Sequence, residues 1–189
     1  LITGAGGSIG SEISRQASRN NADKVILLDA NEYALYSIKK EIESFNSEVE
    51  IYTVLASVNN KKRITEVCKT FKVDTVYHAA ASKHVPLVES NICEGARNNI
   101  LGTLYVVKAA INEKVKNLVF ISSDKAVRPT NIMGASKRFA ELCLQVYKEK
   151  NSFTNFSIVR FGNVLASSGS VIPKFKQQII EGGPVTLTH

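Results

Sequence analysis

Leu1-Ile2-Thr3-Gly4-Ala5-Gly6-Gly7-Ser8-Ile9-Gly10 is the stretch that decides the fold. An apolar start runs into a turn in which Gly4, Gly7 and Gly10 recur at every third position, and a helical stretch follows. Each glycine removes a Cβ where backbone must turn sharply or lie against a pyrophosphate. The helix N-terminus, reached through Ser8 and Ile9, offers N–H groups to the anion. An ordinary glycine-rich turn would explain the spacing alone. The context weighs against it: a second apolar run, Val25-Ile26-Leu27-Leu28, ends in Asp29, 19 residues past Gly10, where a ribose-binding acid is expected.

Asp29 also bears on the choice of dinucleotide. A carboxylate accepts hydrogen bonds from the adenosine ribose hydroxyls and repels a 2′-phosphate. Ala30-Asn31-Glu32 follows it and supplies no arginine. The sequence therefore favours NAD over NADP. An aspartate capping a helix that begins near Asn31 is compatible with the same role.

Working outward, strands are expected near 1–3, 24–29, 49–55, 74–78, 117–121 and 154–160, and helices near 9–20, 31–44, 60–70, 90–114, 131–150 and 173–181. Short apolar strands alternating with helices predict an α/β fold, a doubly wound parallel sheet of order 3-2-1-4-5-6, with ligands at the carboxyl ends of the strands. A chain of 189 residues with 44% hydrophobic content supports one such domain, over 1–181. Gly182-Gly183-Pro184 is the strongest punctuation and is expected to open a second, substrate-binding lobe over 182–189. The chain lacks an initiator methionine and ends at Thr186-Leu187-Thr188-His189 within another apparent strand, which predicts a piece of a longer polypeptide.

No apolar run approaches a membrane span, and no signal peptide is visible in this stretch. Cys68, Cys93 and Cys143 are scattered and read as thiols of a reducing compartment. His78, His84 and His189 have no metal-ligand spacing with them, so no metal is expected. The net charge of +7 is spread over scattered lysines without an arginine-rich run. A solvated surface, or a modest field for a nucleotide diphosphate, accounts for it better than nucleic acid or membrane.

The fifth expected strand delivers Ser122-Ser123-Asp124-Lys125 at its carboxyl end, and the next helix carries Met133 and Lys137 at i and i+4, on one face. A thioether exchanges no proton, so Met133 can fill core but not act as acid or base. Tyr36 and Lys40 also stand four apart, but on the helix after the second strand, where no serine-bearing strand precedes them.

The chain resembles the nucleotide-sugar 4,6-dehydratases of polysaccharide and glycan biosynthesis, within the extended short-chain dehydrogenase/reductase superfamily. The matching pieces are T-G-A-G-G-S-I-G-S-E at 3–12, H-A-A-A-S-K-H-V-P-L-V-E at 78–89, N-N-I-L-G-T at 98–103, S-S-D-K-A-V-R-P-T-N-I-M-G-A-S-K-R at 122–138, R-F-G-N-V-L at 160–165, S-S-G-S-V-I-P-K-F at 167–175 and G-G-P-V-T-L-T-H at 182–189. They cover essentially the whole chain and resemble UDP-N-acetylglucosamine 4,6-dehydratases more than other subgroups. Met133 stands where the superfamily normally carries its catalytic tyrosine, as in the long, membrane-anchored branch that retains C5 configuration. Ser57-Val58 replaces the Asp-Val that many relatives place beside adenine, and Ala166 stands where glycine is frequent.

The resemblance implies NAD as cofactor, bound also by Ser57, Val58, Ala79, Ala80, Ala81, Asn99 and Lys137. It implies a UDP-sugar substrate touching Lys83, Asn163 and Ser170, and Asp124 as acid for the C6 hydroxyl. Lys125 would be the base at C5, and Ser123 would hold the C4 oxygen. Arg160 is equally open to a structural ion pair. A homo-oligomer is expected, with a cytoplasmic location and a full-length protein anchored to the inner face of the plasma membrane. A C5-inverting dehydratase, a nucleotide-sugar epimerase, or an NAD-binding module without activity stand as alternatives.

Overall fold

The computed structural model describes residues 1–20, 22–46, 48–162, 164 and 171–186. Six parallel strands form one sheet: β1 (Ile2–Thr3), β2 (Lys24–Asp29), β3 (Glu50–Leu55), β4 (Thr75–His78), β5 (Asn117–Ser123) and β6 (Asn155–Phe161). Their order is β3-β2-β1-β4-β5-β6, as the alternation of strands and helices predicts. The reversal of direction falls between β1 and β4, where Ile2 faces Tyr77 and Thr3 faces His78. A crevice therefore opens at the carboxyl end of β1, where the glycine turn begins.

Successive side chains on β2 point to opposite faces, and both faces are covered. Val25 and Leu27 pack with Leu35, Ile38 and Ile42 of α2 (Glu32–Phe45), joined by Ile13 and Ala17 of α1 (Ser8–Arg19). Ile26 and Leu28 pack on the other side with α3 (Lys61–Thr70), α6 (Thr103–Asn112) and α7 (Ile132–Lys150), through Ile64, Val67, Val106, Ala140 and Leu144. Burial on both faces explains why these strands read as unbroken apolar runs instead of alternating ones.

Two boundaries depart from the sequence expectation. The helix expected over 90–114 is interrupted. It is preceded by α4 (Val85–Ser90) and consists of α5 (Ile92–Ala96), a π turn over Arg97–Gly102 and then α6. Asn91 leaves helical geometry, with φ −137° and ψ 55°, and ends α4. Asn99 within the π turn is drawn into bonds with another segment. Also, β5 runs on to Ser123, and a 3₁₀ turn over Asp124–Ala126 follows. The last helix, α8, spans Val171–Ile180, and the strand expected at the chain's end lies, past Thr186, outside the described residues. Among the described residues no helix is long and apolar enough to cross a membrane.

Candidate active site

The glycine turn is built by close approaches. Gly4 has φ +67°, and a Cβ there would sit 2.7 Å from the backbone N of Ala80. A Cβ on Gly10 would run into the carbonyl of Gly4, while Gly7 donates its N–H to that carbonyl at 3.0 Å. Gly7 is the N-cap of α1 and brings no capping side chain, and no acidic residue stands in the helix's first turn. Gly6, which the every-third spacing passes over, is required as well. A Cβ there would run into Ala34 of α2.

Gly6 also donates its N–H to Asp29 Oδ2 at 2.8 Å, and Asn31 donates its N–H to Oδ1 at 2.9 Å. Asp29 is therefore not the cap of α2. Asn31 is, accepting from the Ala34 N–H at 2.9 Å. Each Asp29 oxygen keeps a lone pair for a hydroxyl from outside. Asp29 lines a cavity of about 320 Å³ with Ala56, Ser57, Val58, Ala79, Ala80, Ala81 and Asn98. A second cavity of about 450 Å³ lies beyond the turn, lined by Gly7, Ser8, Ile9, Gly10, Ala81, Lys83 and the α4–α5 segment. Ala79 and Ala81 wall both.

Asn99 sits behind that wall. Its Nδ2 donates to the Ser82 carbonyl at 3.0 Å and to Ser136 Oγ at 3.0 Å, and its Oδ1 accepts from the Ser82 N–H at 2.8 Å. With 1% of its surface exposed and its amide spent inside the protein, Asn99 cannot touch a cofactor directly. The expected direct contact is corrected to a supporting one, which a single sequence does not reveal.

The second group of residues stands at the end of β5. Ser122 points inward and donates to Glu141 Oε1 at 2.6 Å. Glu141 is fully buried on α7 and also accepts from Arg160 Nε at 2.8 Å, Arg160 Nη2 at 2.6 Å and Arg138 Nη1 at 3.1 Å. Burial alone would raise its pKa. The bonds from Arg160, Ser122 and Arg138 outweigh that and hold it down at about 2. Arg160 is thus a structural partner, tying β6 to α7 behind Ser122.

Ser123 alternates to the other side and faces outward. Its Oγ donates to Asp124 Oδ1 at 2.9 Å and accepts from the Lys125 N–H at 3.2 Å. Lys125 Nζ donates to the same Asp124 oxygen at 3.2 Å. Partial burial pushes the Asp124 pKa up, but the bonds from Ser123 and Lys125 prevail and lower it. Backbone packing fixes this turn. A Cβ on Gly134 would run into the Lys125 carbonyl, so α7 can approach only with glycine there.

Met133 is buried, 3% exposed, at the start of α7, and Asn131 caps that helix by accepting from the Gly134 N–H at 2.8 Å. One turn on, Lys137 is also buried and donates to the Ile121 carbonyl at 2.8 Å, 4.6 Å above the Phe120 ring. Burial pushes its pKa down to about 8, against the opposing pull of Glu141. Tyr36, by contrast, is 58% exposed on α2, away from this strand end. Asn163 and Ser170, expected to contact the sugar nucleotide, lie outside the described residues. Among the described residues no three His, Cys, Asp or Glu side chains gather as a metal set.

A family model described as "Polysaccharide biosynthesis protein" matches residues 1–189. The chain is 56% identical, over all of its own length and 32% of the relative's, to the capsular polysaccharide biosynthesis protein CapD of Staphylococcus aureus. It is 38% identical to a UDP-glucose 4-epimerase of Rickettsia akari, covering 55% of that protein. It is 35% identical to an inverting UDP-N-acetylglucosamine 4,6-dehydratase of Campylobacter jejuni, covering 57%. Among solved structures, Pen from Bacillus thuringiensis superposes with a TM-score of 0.92 at 38% identity, over the whole chain and 59% of that protein. The chain thus spans between a third and somewhat over half the length of the relatives it matches.

Proposed function

The chain belongs to the polysaccharide biosynthesis protein family, and from that membership and the strand-end chemistry we propose that it carries the NAD site and acid–base residues of a nucleotide-sugar 4,6-dehydratase acting on UDP-N-acetylglucosamine. The observation that carries this reading is the Asp124–Lys125 pair, 3.2 Å apart at the end of β5, beside a buried methionine. Exchange of configuration at C4 needs oxidation and reduction with one proton taken from and returned to the C4 oxygen, and no group acting at C5 or C6. Loss of water across C5 and C6 also needs an acid and a base.

The site fits a dinucleotide. Gly4 and Gly10 leave room that a Cβ would fill, and Asp29 presents one free lone pair per oxygen. NAD, when bound, supplies the acceptor that oxidises C4 of the sugar and the donor that later reduces C6. Lys137 supports the ribose beside the reacting carbon, and Lys83, Asn163 and Ser170 hold the sugar nucleotide. Residues 182–189 open the lobe that completes its pocket.

The protein's own groups can close the proton account without a tyrosine. Ser123 already donates to Asp124, so a proton leaving the C4 oxygen passes to Ser123 Oγ while the serine proton passes to Asp124. Asp124 starts as the carboxylate that its bonds favour and ends as the carboxyl that the departing C6 hydroxyl requires. Lys125 takes the C5 proton once the C4 ketone has acidified it. Asp124 gives its proton to the leaving hydroxyl and water departs. When C6 is reduced, Lys125 returns a proton to C5. Because one lysine both removes and returns it, the same face of C5 is used and configuration is retained.

The test is incubation of the full-length protein, with its complete substrate lobe, with UDP-N-acetylglucosamine in deuterium oxide. The proposal expects the alkali-induced absorbance of a 4-keto sugar, with one deuterium at C5 and unchanged configuration. The similarity to a UDP-glucose 4-epimerase supports a second reading, an epimerase, which would yield the C4 epimer and no stable ketone. NAD binding without either product would overturn both.

A further inference from the structure

His78 ends β4 and has no exposed surface. Its Nδ1 lies 2.6 Å from Thr3 Oγ1, on the last residue of β1 before Gly4. Its Nε2 lies 2.9 Å from Thr103 Oγ1, at the start of α6. The directions of these bonds follow from counting protons. Thr103 has one hydroxyl proton and gives it to the Asn99 carbonyl at 2.7 Å. Toward His78 it must accept, so Nε2 carries a hydrogen. The ring is neutral, because full burial and then the nearby Lys137 push its pKa down to about 3. Nδ1 is therefore bare and accepts the Thr3 hydroxyl proton. Thr3 Oγ1 in turn accepts from the Ala80 N–H at 3.4 Å. Every donor in the run points one way, from Ala80 through Thr3, His78 and Thr103 to Asn99, and such chains strengthen one another.

This run ties together the two sides of the crevice, Thr3 below the glycine turn and Ala80 and Asn99 at the 79–82 wall. Thr3 fixes where Gly4 begins, and Ala80 is the wall against which Gly4 packs. Asn99 holds Ser82, the far end of that wall, and Ser136, next to Lys137. We propose that His78 is a positioning residue of the cofactor site, which, as the neutral Nε2–H tautomer, sets the spacing between the glycine turn and the 79–82 wall. The proposal rests on the NAD-binding reading above.

Two measurements test it. Long-range ¹H–¹⁵N correlation spectra of the imidazole, recorded without ligand, should show a protonated Nε2 and a bare Nδ1. The opposite tautomer or a charged ring near neutral pH would overturn the proposal, whether or not NAD binds. Calorimetric titration of NAD gives the second. His78→Asn keeps an acceptor for Thr3, and His78→Gln keeps a donor for Thr103. Each should weaken NAD about fivefold to tenfold, the scale of one lost buried hydrogen bond, at temperatures where both remain folded. His78→Leu, which keeps neither, should weaken it further. Folded Asn and Gln variants that bind NAD as the unmodified protein does would remove the positioning role. Failure of the unmodified protein to bind NAD would instead remove the reading beneath it.

Discussion

Replacing Glu141 with glutamine should expose how much the cluster behind Ser122 contributes, and how that contribution depends on pH. The carboxyl has a pKa of about 2 in the folded protein against an ordinary 4.5. A gap of that size corresponds to about 3 kcal/mol at neutral pH. Arg138 and Arg160 are 38% and 40% exposed, so water screens part of the attraction, and about 2 kcal/mol is the better expectation. The folded pKa is depressed, so the stability is present above the unfolded value and is lost as pH falls from about 4.5 toward 2. Glu141→Gln has no carboxylate to protonate. The difference in urea unfolding free energy between the two proteins should therefore be full at pH 7, about a quarter smaller at pH 4 and about three-fifths gone at pH 3. A difference that stays constant from pH 7 to pH 3, or a glutamine variant as stable as the parent at neutral pH, would refute the assignment of charge to this cluster.

Gly10→Ala should weaken NAD binding about tenfold to hundredfold, because the added Cβ meets the Gly4 carbonyl and the turn must open; calorimetry that finds unchanged affinity would show the turn to be slack. NAD should bind more tightly than NADP, but Asp29→Ala should weaken both, since the carboxylate also holds the Gly6 and Asn31 amides. A clean switch to tight NADP binding would mean that those bonds matter little. Lys125→Met should abolish deuterium uptake at C5 together with product, whereas Asp124→Asn should stop water loss, with any remaining C4 oxidation seen as a transient of reduced cofactor. Rapid C5 exchange in Lys125→Met would refute lysine as the base.

The strand order, and the placement of Asp29 and of Ser123 to Lys125 at strand ends, could be read from the sequence because each depends on neighbours along the chain. Val25 to Leu28 is a strand buried on both faces, and Asp29 must then emerge at its carboxyl end. Ser123, Asp124 and Lys125 are likewise fixed by the strand they finish. What could not be read depends on contacts between distant segments. Glu141 and Arg160 stand 19 residues apart on a helix and a strand, and nothing local marks them as partners. Gly6 and Gly134 look like ordinary small residues until Ala34 and the Lys125 carbonyl lie against them. Asn99 falls in an otherwise helical pattern, and its role in holding Ser82 and Ser136 follows only from its bonds to them.

The π turn at 97–102 has a consequence for how this segment can vary. A π turn is an α-helix holding one residue more than its path requires. Deleting any one residue between Arg97 and Gly102 would restore regular winding and keep the segment helical. The turn already absorbs that surplus, so the helix on either side would keep its phase, but residues inside the turn would swing by about 100° relative to the flanks. Asn99 would no longer face Ser82 while Thr103 faced His78, although every residue type involved in those contacts could still be present. Helical phase, rather than composition, is what this segment must conserve. A single-residue deletion here should therefore do more harm than the same deletion in the Gly182-Gly183-Pro184 stretch, where a Cβ on either glycine would meet nothing within 4 Å among the described residues.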